Sequence, residues 1–312
     1  MDRIVDIATD GLHLSAYRGL MLLSRDREEI GRVALDDVAA VIVHAHGVTW
    51  TTSLAVELAA RGAVLVLCAN NHAPVAYLTA IDGHHAQNAR LRAQWDAPRP
   101  LFKRAWQQIV MAKVRMQASL LAAHGRDEAS ALQFLSDRVR SGDPDNMEAQ
   151  AARRYWPALF GPDFRRDRAA GGINGLLNYG YTVMRAMVAR SIVASGLHPS
   201  IGLHHANRLN AFALADDLVE PFRPLVDALV HQLNDDGVEL LDRDAKRRLT
   251  GLVTADLEIA GAVSPVTVCV QRLTQSLAAS FESGRLALQL FMPPSPLGWQ
   301  AIARHCPEGE TV

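Results

Sequence analysis

Cysteine is scarce in this chain of 312 residues. Cys68, Cys269 and Cys306 are far apart, odd in number and without Cys-x-x-Cys spacing, which excludes a disulfide framework and a cysteine zinc knuckle. Lysine is almost missing too: Lys103, Lys113 and Lys246 stand beside 29 arginines. No apolar run approaches the roughly 18 residues that span a bilayer, and no basic segment with a hydrophobic core opens the chain. The expectation is a cytoplasmic protein with no membrane partner. A Gly-x-x-x-x-Gly-Lys-Ser/Thr phosphate loop is absent, which argues against an ATP-driven machine, and there is no internal repeat.

What is present starts with 49% hydrophobic residues, ample for a packed core in one large or two modest domains. The formal net charge of -1 averages over an asymmetry. Residues 86–224 carry 19 Lys/Arg against 12 Asp/Glu, whereas the rest carries 13 against 21. Arginine's planar fork matches phosphate oxygens two at a time, so this basic stretch suits a nucleic-acid partner. In so alanine-rich a sequence, the same preference also follows from genomic base composition alone.

Short apolar runs at 3–7, 12–17, 20–24 and 30–35, broken at Gly11, Gly19 and Gly31, predict a meander of strands. The continuous apolar runs 38–43 and 63–68 flank a helix capped by Thr51, Thr52 and Ser53, a strand–helix–strand crossover. A turn at Asn70, Asn71 and His72 leads to a last strand at 75–79. From about residue 86 the period becomes helical and strand signals nearly vanish. The expected fold class is therefore α+β: a small β-rich N-terminal domain at 1–85, then a larger all-α domain at 86–312. Pro98 and Pro100 open a long helix to about 123, and 126–139 forms another. Asp143 followed by Pro144 reads as an N-cap and first helical position, placing Glu148 in the second turn of a helix that ends near Pro157. Asn174 caps a helix to about 194, and further helices are expected at about 212–234, 243–250 and 265–290.

A divalent-metal site for phosphate chemistry needs carboxylate oxygens, sometimes one imidazole, and open positions for substrate. Asp217 and Glu220, three residues apart, share a helical face that Asp216 does not. His205 lies in the loop before them, with His204 and His198 as competing ligands, and Glu148 comes from the earlier helix. Each has a plainer role available: a solvated helix-end charge for Glu148, a carbonyl partner for a loop histidine, surface pairing with Arg208 and Arg223 for the acidic pair.

The segments Asp143-Pro-Asp-Asn-Met-Glu148, Leu177-Asn-Tyr-Gly-Tyr181, Gly202-Leu-His-His-Ala-Asn207 and Ala215-Asp-Asp-Leu-Val-Glu-Pro-Phe-Arg-Pro224 resemble, in order and spacing, the signature blocks of the first CRISPR-associated protein family, the spacer integrases. Thr49-Trp-Thr-Thr-Ser53 and the strand after it are similar as well, so the resemblance covers nearly the whole chain and looks closest to the compact II-C form of type II systems. It implies a β-rich N-terminal domain that forms a homodimer and a helical domain with one metal site. The family's metal-binding glutamate falls on Glu148, its histidine on His205 and its final carboxylate on Glu220, with Asp217 in support; the register against Glu220 selects His205 over His204.

The resemblance implies an integrase in which Mg²⁺ or Mn²⁺ on Glu148, His205 and Glu220 polarises the attacked phosphate. The nucleophile is the 3′-hydroxyl of a double-stranded spacer precursor, and the target is the CRISPR repeat; with water instead, the site is a nuclease. Arg138, Arg140, Arg153, Arg154, Arg165, Arg166 and Arg168 are the candidates for phosphate contacts. Two dimers joined by a dimer of the small second CRISPR-associated protein, a four-to-two complex, are the implied assembly, with the type II effector nuclease and an accessory protein as additional partners. A noncatalytic DNA-binding scaffold and a metal-dependent hydrolase of a small substrate are the competing classes.

Overall fold

The computed structural model describes residues 3–69, 74–81, 83–204 and 210–306. The turn expected at Asn70–His72, together with His205 and Arg208, lies outside them. Strands β1 (Arg3–Ile7), β5 (Val38–Val43), β7 (Val64–Cys68) and β8 (Pro74–Leu78) form one sheet in the order β1-β5-β7-β8, parallel except at β8. Strands β2 (Leu12–Tyr17), β3 (Leu20–Arg25), β4 (Glu28–Ala34) and the short β6 (Thr49–Trp50) form a second, in the order β4-β3-β2-β6. Helix α1 (Thr52–Ala60) crosses from β5 to β7, its first turn capped by the Thr51 hydroxyl, which accepts from the Leu54 N–H at 3.2 Å.

Alternation explains why β5 and β7 read as continuous apolar runs. Val5, Ile7, Val41, Val43 and Leu65 pack against Leu14, Met21 and Leu23 of the second sheet and Leu54 and Leu58 of α1. The intervening Ile4, Ala40, Ile42, Val64 and Val66 join the core of the helices that follow. The two central strands, β5 and β7, are buried on both faces, so their positions are apolar throughout.

The second part begins with α2 (Gln87–Asp96) and α3 (Arg99–Ala123), then α4 (Glu128–Ser136), α5 (Met147–Phe160) and α6 (Ile173–Ala194). After these come α7 (Ala213–Leu218), a 3₁₀ turn at Glu220–Phe222, α8 (Arg223–Asp235), α9 (Arg243–Gly251), α10 (Val266–Ser283) and α11 (Pro296–Ala303). Helix α6 is buried nearly all round and packs against α8, α9 and α10. Its Gly180 allows that approach, because a Cβ there would collide with Val226 of α8 and touch Leu249 of α9. Among the described residues no helix is long and apolar enough to cross a membrane. Trp299 of α11 is 2% exposed and donates from its indole N–H to Ser119 Oγ at 2.9 Å, so this late helix is packed onto α3.

Several expectations need correction. The second part is not all helical: β9 (Asp256–Ile259) and β10 (Ala262–Pro265) form an antiparallel hairpin, with Ala260 and Gly261 of its two-residue turn both at positive φ. Asp143 is not the N-cap residue. It and Asn146 are left-handed (φ 49° and 53°), forming a tight turn, so helical geometry begins only at Met147 and Glu148 lies in the first turn. Pro157 sits within this helix, which runs on to Phe160. Helix α6 starts at Ile173, and Asn174 lies inside it, its carboxamide oxygen accepting from Arg166 and the Asp167 N–H. The long helix expected at 212–234 is broken because Pro221 has no N–H to donate to Asp217, and the chain tightens into the 3₁₀ turn before α8 resumes.

Candidate metal and DNA-joining centre

Glu148 sits at the second position of α5 because Asp143, although displaced from the cap, still accepts from the N–H groups of Met147 (2.8 Å) and Glu148 (3.1 Å). Glu220 opens the 3₁₀ turn, which packs against the middle of α3. These two turns aim their carboxylates at one point. Between them lies the ammonium of Lys113, 2.5 Å from Glu148 Oε1 and 2.5 Å from Glu220 Oε2. Arg223 Nε stands 2.9 Å from Glu220 Oε1. Of the plainer roles considered for the acidic pair, pairing of Glu220 with Arg223 does occur, but it is buried: the Glu220 side chain is 7% exposed.

Burial opposes charge on each of these groups, yet the pairing prevails. The cations Arg223 and Lys113 hold the Glu220 carboxyl down at about 2, and Glu220 with Glu148 holds the Lys113 ammonium above its ordinary range. Glu220 Oε2 faces the Lys113 ammonium in a buried ion pair, and Glu220 Oε1 faces Arg223. Two carboxylates that converge on a cation fit the oxygen-donor set of a divalent metal. Among the described residues no three of His, Cys, Asp and Glu are grouped to hold a metal; His205, the expected third ligand, lies outside them.

The loop that carries the histidines is held at several points. Asp217, fully buried, accepts from the N–H groups of Leu203 (2.5 Å) and His204 (3.1 Å). The His204 ring stacks on Trp106 of α3, with ring centroids 4.7 Å apart and planes within 5°. Earlier in the loop, the carboxamide of buried Gln94 binds the His198 N–H and the carbonyls of His198 and Ile201. His198 itself bonds to Ser200 and lines a separate cavity beside Trp95. Asp216 faces away as expected, paired with Arg185 and Asn210.

Helix α3 was not singled out in the sequence, although it supplies both Trp106 and Lys113, seven residues apart and hence on one face. The signal available was a lone lysine in the apolar stretch Ile109-Val-Met-Ala-Lys-Val114 of an arginine-rich chain.

The seven candidate arginines separate by surroundings. Arg153 and Arg154 are exposed and, with Arg126, line an open cavity of about 480 Å³ whose only carboxylate is Glu128. Arg168 is exposed as well. Arg138 stacks over Phe134, Arg140 grips Asp145 with two hydrogen bonds of 2.7 Å, and Arg165 donates to the carbonyls of Pro162 and Phe164. Arg166 is half-buried, tied to Asn174 and Asn178 over the Tyr181 ring.

Beneath the centre, fully buried Asp227 of α8 accepts from the hydroxyls of Tyr155 (2.8 Å) and Tyr181, and Arg223 lies over the Tyr181 ring. Burial pushes the Asp227 carboxyl up to about 6, although both hydroxyls favour its ionised form. A carboxyl that holds its proton more tightly when folded contributes stability in acid, and that contribution disappears as pH rises through the folded value. The urea midpoint of the wild type is therefore expected to lose a component between about pH 4 and about pH 7 that is missing in Asp227→Asn. Parallel pH profiles for the two proteins would show that Asp227 does not titrate in this way.

The family model described as CRISPR associated protein Cas1 matches residues 5–247 of this sequence. The chain is 39% identical over 229 residues to a CRISPR-associated endonuclease Cas1 of Neisseria meningitidis serogroup C, spanning 73% of this chain and 75% of that one. Among solved structures it is similar to a casposase bound to integration product, with a TM-score of 0.77, 18% identity and 92% of each chain covered. It is also similar to part of a Cas6-RT-Cas1–Cas2 complex, with a TM-score of 0.75, 17% identity, and 94% of this chain and 36% of that chain covered. At those identities the two structures speak for a shared fold.

Proposed function

Because this chain belongs to the Cas1 family of CRISPR-associated proteins, we propose that it is a metal-dependent DNA integrase and endonuclease that joins spacer DNA to a CRISPR array. The observation that carries this reading is the convergence of Glu148 and Glu220, from separate elements, on one buried cation. Glu148 and Glu220, with His205 from the adjoining loop, would hold Mg²⁺ or Mn²⁺. Such an ion supplies positive charge to the phosphate under attack by a 3′-hydroxyl, or by water in the hydrolytic reaction.

The chain's own residues prepare that step. Asp217 fastens the backbone at Leu203 and His204, and Trp106 supports the His204 ring. Arg223 keeps Glu220 ionised and oriented. Arg126, Arg153 and Arg154, around one cavity, offer guanidinium groups for a DNA backbone, an arrangement that favours a polyanion over a small substrate.

We read the units at 1–85 and 86–312 as dimerising and catalytic respectively. Exposed Tyr17, Ile30 and Trp50 of the second sheet are apolar surface that a homodimer would cover. The solved neighbour containing Cas1 and Cas2 supports the small second CRISPR-associated protein as a partner; the four-to-two arrangement rests on the sequence resemblance alone. Assignment to type II systems, with their effector nuclease and accessory protein, rests on the sequence blocks.

The test is strand transfer of a short duplex with free 3′-hydroxyl ends into a supercoiled plasmid carrying the repeat, with the purified small partner. Joined product is expected with Mn²⁺ or Mg²⁺ and none with chelator. Equal joining with chelator would overturn the metal dependence, whereas DNA binding without joining under any metal would overturn the integrase reading in favour of a scaffold.

A further inference from the structure

Lys113 occupies an unusual position for a lysine. Its side chain is 12% exposed, on a helix whose neighbouring turns bury Ile109, Val110, Val114 and Met116. A strongly hydrated ammonium is costly to bury, and all but three of this chain's Lys and Arg residues are arginines. What holds Lys113 there is the pair of carboxylates, each 2.5 Å away. With Arg223 on the far oxygen of Glu220, two negative and two positive charges already balance within the centre.

That balance bears on any divalent ion. An ion held between Glu148 and Glu220 would draw on the carboxylates whose oxygens, Glu148 Oε1 and Glu220 Oε2, now face the ammonium. Both cations cannot share a space so small, so the ammonium must withdraw when the metal enters.

Resting on the metal-centre reading above, we infer that Lys113 is a resident counter-cation that competes with divalent metal for Glu148 and Glu220. It preorganises the two carboxylates in the metal-free chain and keeps metal affinity low until the ammonium is displaced. Removing its charge leaves the carboxylates under-neutralised, which weakens the metal-free fold and strengthens metal binding. The two effects are linked, because an ion that binds only the folded chain stabilises it more the more tightly it binds.

The experiment is Mn²⁺ titration, by calorimetry and by the spin-resonance signal of free Mn²⁺, on the full chain as wild type, Lys113→Met, Lys113→Gln, Lys113→Arg and Glu148→Gln. Both neutral variants are expected to bind Mn²⁺ about tenfold more tightly or better, since removal of an adjacent unit charge at partly buried distances is worth at least that factor. They should also melt lower than wild type without metal and gain more on saturation. Lys113→Arg keeps the charge and is expected to bind no tighter than wild type.

Weaker or unchanged Mn²⁺ binding in both neutral variants, with binding lost in Glu148→Gln, would sink the competition while leaving the metal centre in place. Should wild type, Glu148→Gln and the lysine variants all bind Mn²⁺ alike, the metal-centre reading itself falls. If Lys113→Met fails to fold, Lys113→Gln carries the measurement; if neither folds without metal, refolding with Mn²⁺ decides, since competition requires that the ion restore the fold.

Discussion

Glu148→Ala is expected to lower strand transfer by about a thousandfold or more while leaving the chain folded and bound to DNA. The size follows from the charge a metal ligand helps to deliver: several kcal/mol of stabilisation at the attacked phosphate, with each ~1.4 kcal/mol worth a factor of ten in rate. The selectivity follows from position. Glu148 projects from the first turn of α5, its side chain is 24% exposed, and it shares Lys113 with Glu220, which remains to pair the ammonium. The stability lost should be about 1 kcal/mol, the scale of a partly exposed ion pair. Two assays run together check this: joining of a labelled duplex to supercoiled plasmid, and retention of the same duplex on the protein at increasing salt. A variant that joins DNA at the wild-type rate would remove Glu148 from the chemistry. One that loses joining and folding together would leave only a structural role for it.

Glu220→Gln has the larger effect on the fold. Glu220 is 7% exposed and stands between Lys113 and Arg223, so neutralising it takes away the carboxylate that both buried cations share and leaves Lys113 with only the more exposed Glu148. Breaking a buried pair by removing one partner costs about 3–5 kcal/mol, because the desolvated charge left behind has lost its compensation. The same variant should also lose strand transfer, but its diagnostic is in denaturation. Adding Lys113→Met to Glu220→Gln restores the charge balance and is expected to recover part of the lost stability, a non-additivity that a double-mutant cycle reads directly.

The acid side offers an independent check on Glu220. Its carboxyl is held at about 2, below the usual range, so its stabilising contribution is complete above the ordinary glutamate value and disappears as pH falls toward 2. Wild type should lose stability over that window, and Glu220→Gln should lose less. Additive single variants with identical acid profiles would mean that the ion pairs contribute nothing net.

Most of the N-terminal half was legible because its signals are local. Alternation set β2 and β3, and the continuous apolar runs of β5 and β7 announced strands buried on both faces, with the Thr51 cap marking the helix between them. The hairpin at 256–265 was missed because Asp256-Leu-Glu-Ile259 and Ala262-Val-Ser-Pro265 are too short to establish a period, and its turn uses Ala260 where Asn or Asp gives the usual signal. The helix carrying Glu148 was recognised, but its start was misplaced: two left-handed residues, Asp143 and Asn146, delay it, and neither is a glycine that would have flagged the turn.

The sequence by itself determined the kind of chemistry on offer: carboxylates at Glu148, Asp217 and Glu220, histidines in the loop before the last two, and a surplus of arginine between 86 and 224. Only the tertiary structure decided what each acid does. It sent Asp217 to the loop backbone and Asp216 to Arg185, and it brought Glu220 to Glu148 across Lys113. Periodicity along one chain records which face of an element is buried, whereas charges from α3, α5 and the 3₁₀ turn meet only through the packing of those elements. Lys113 carries no motif. Its role comes from the two carboxylates that the fold places beside it.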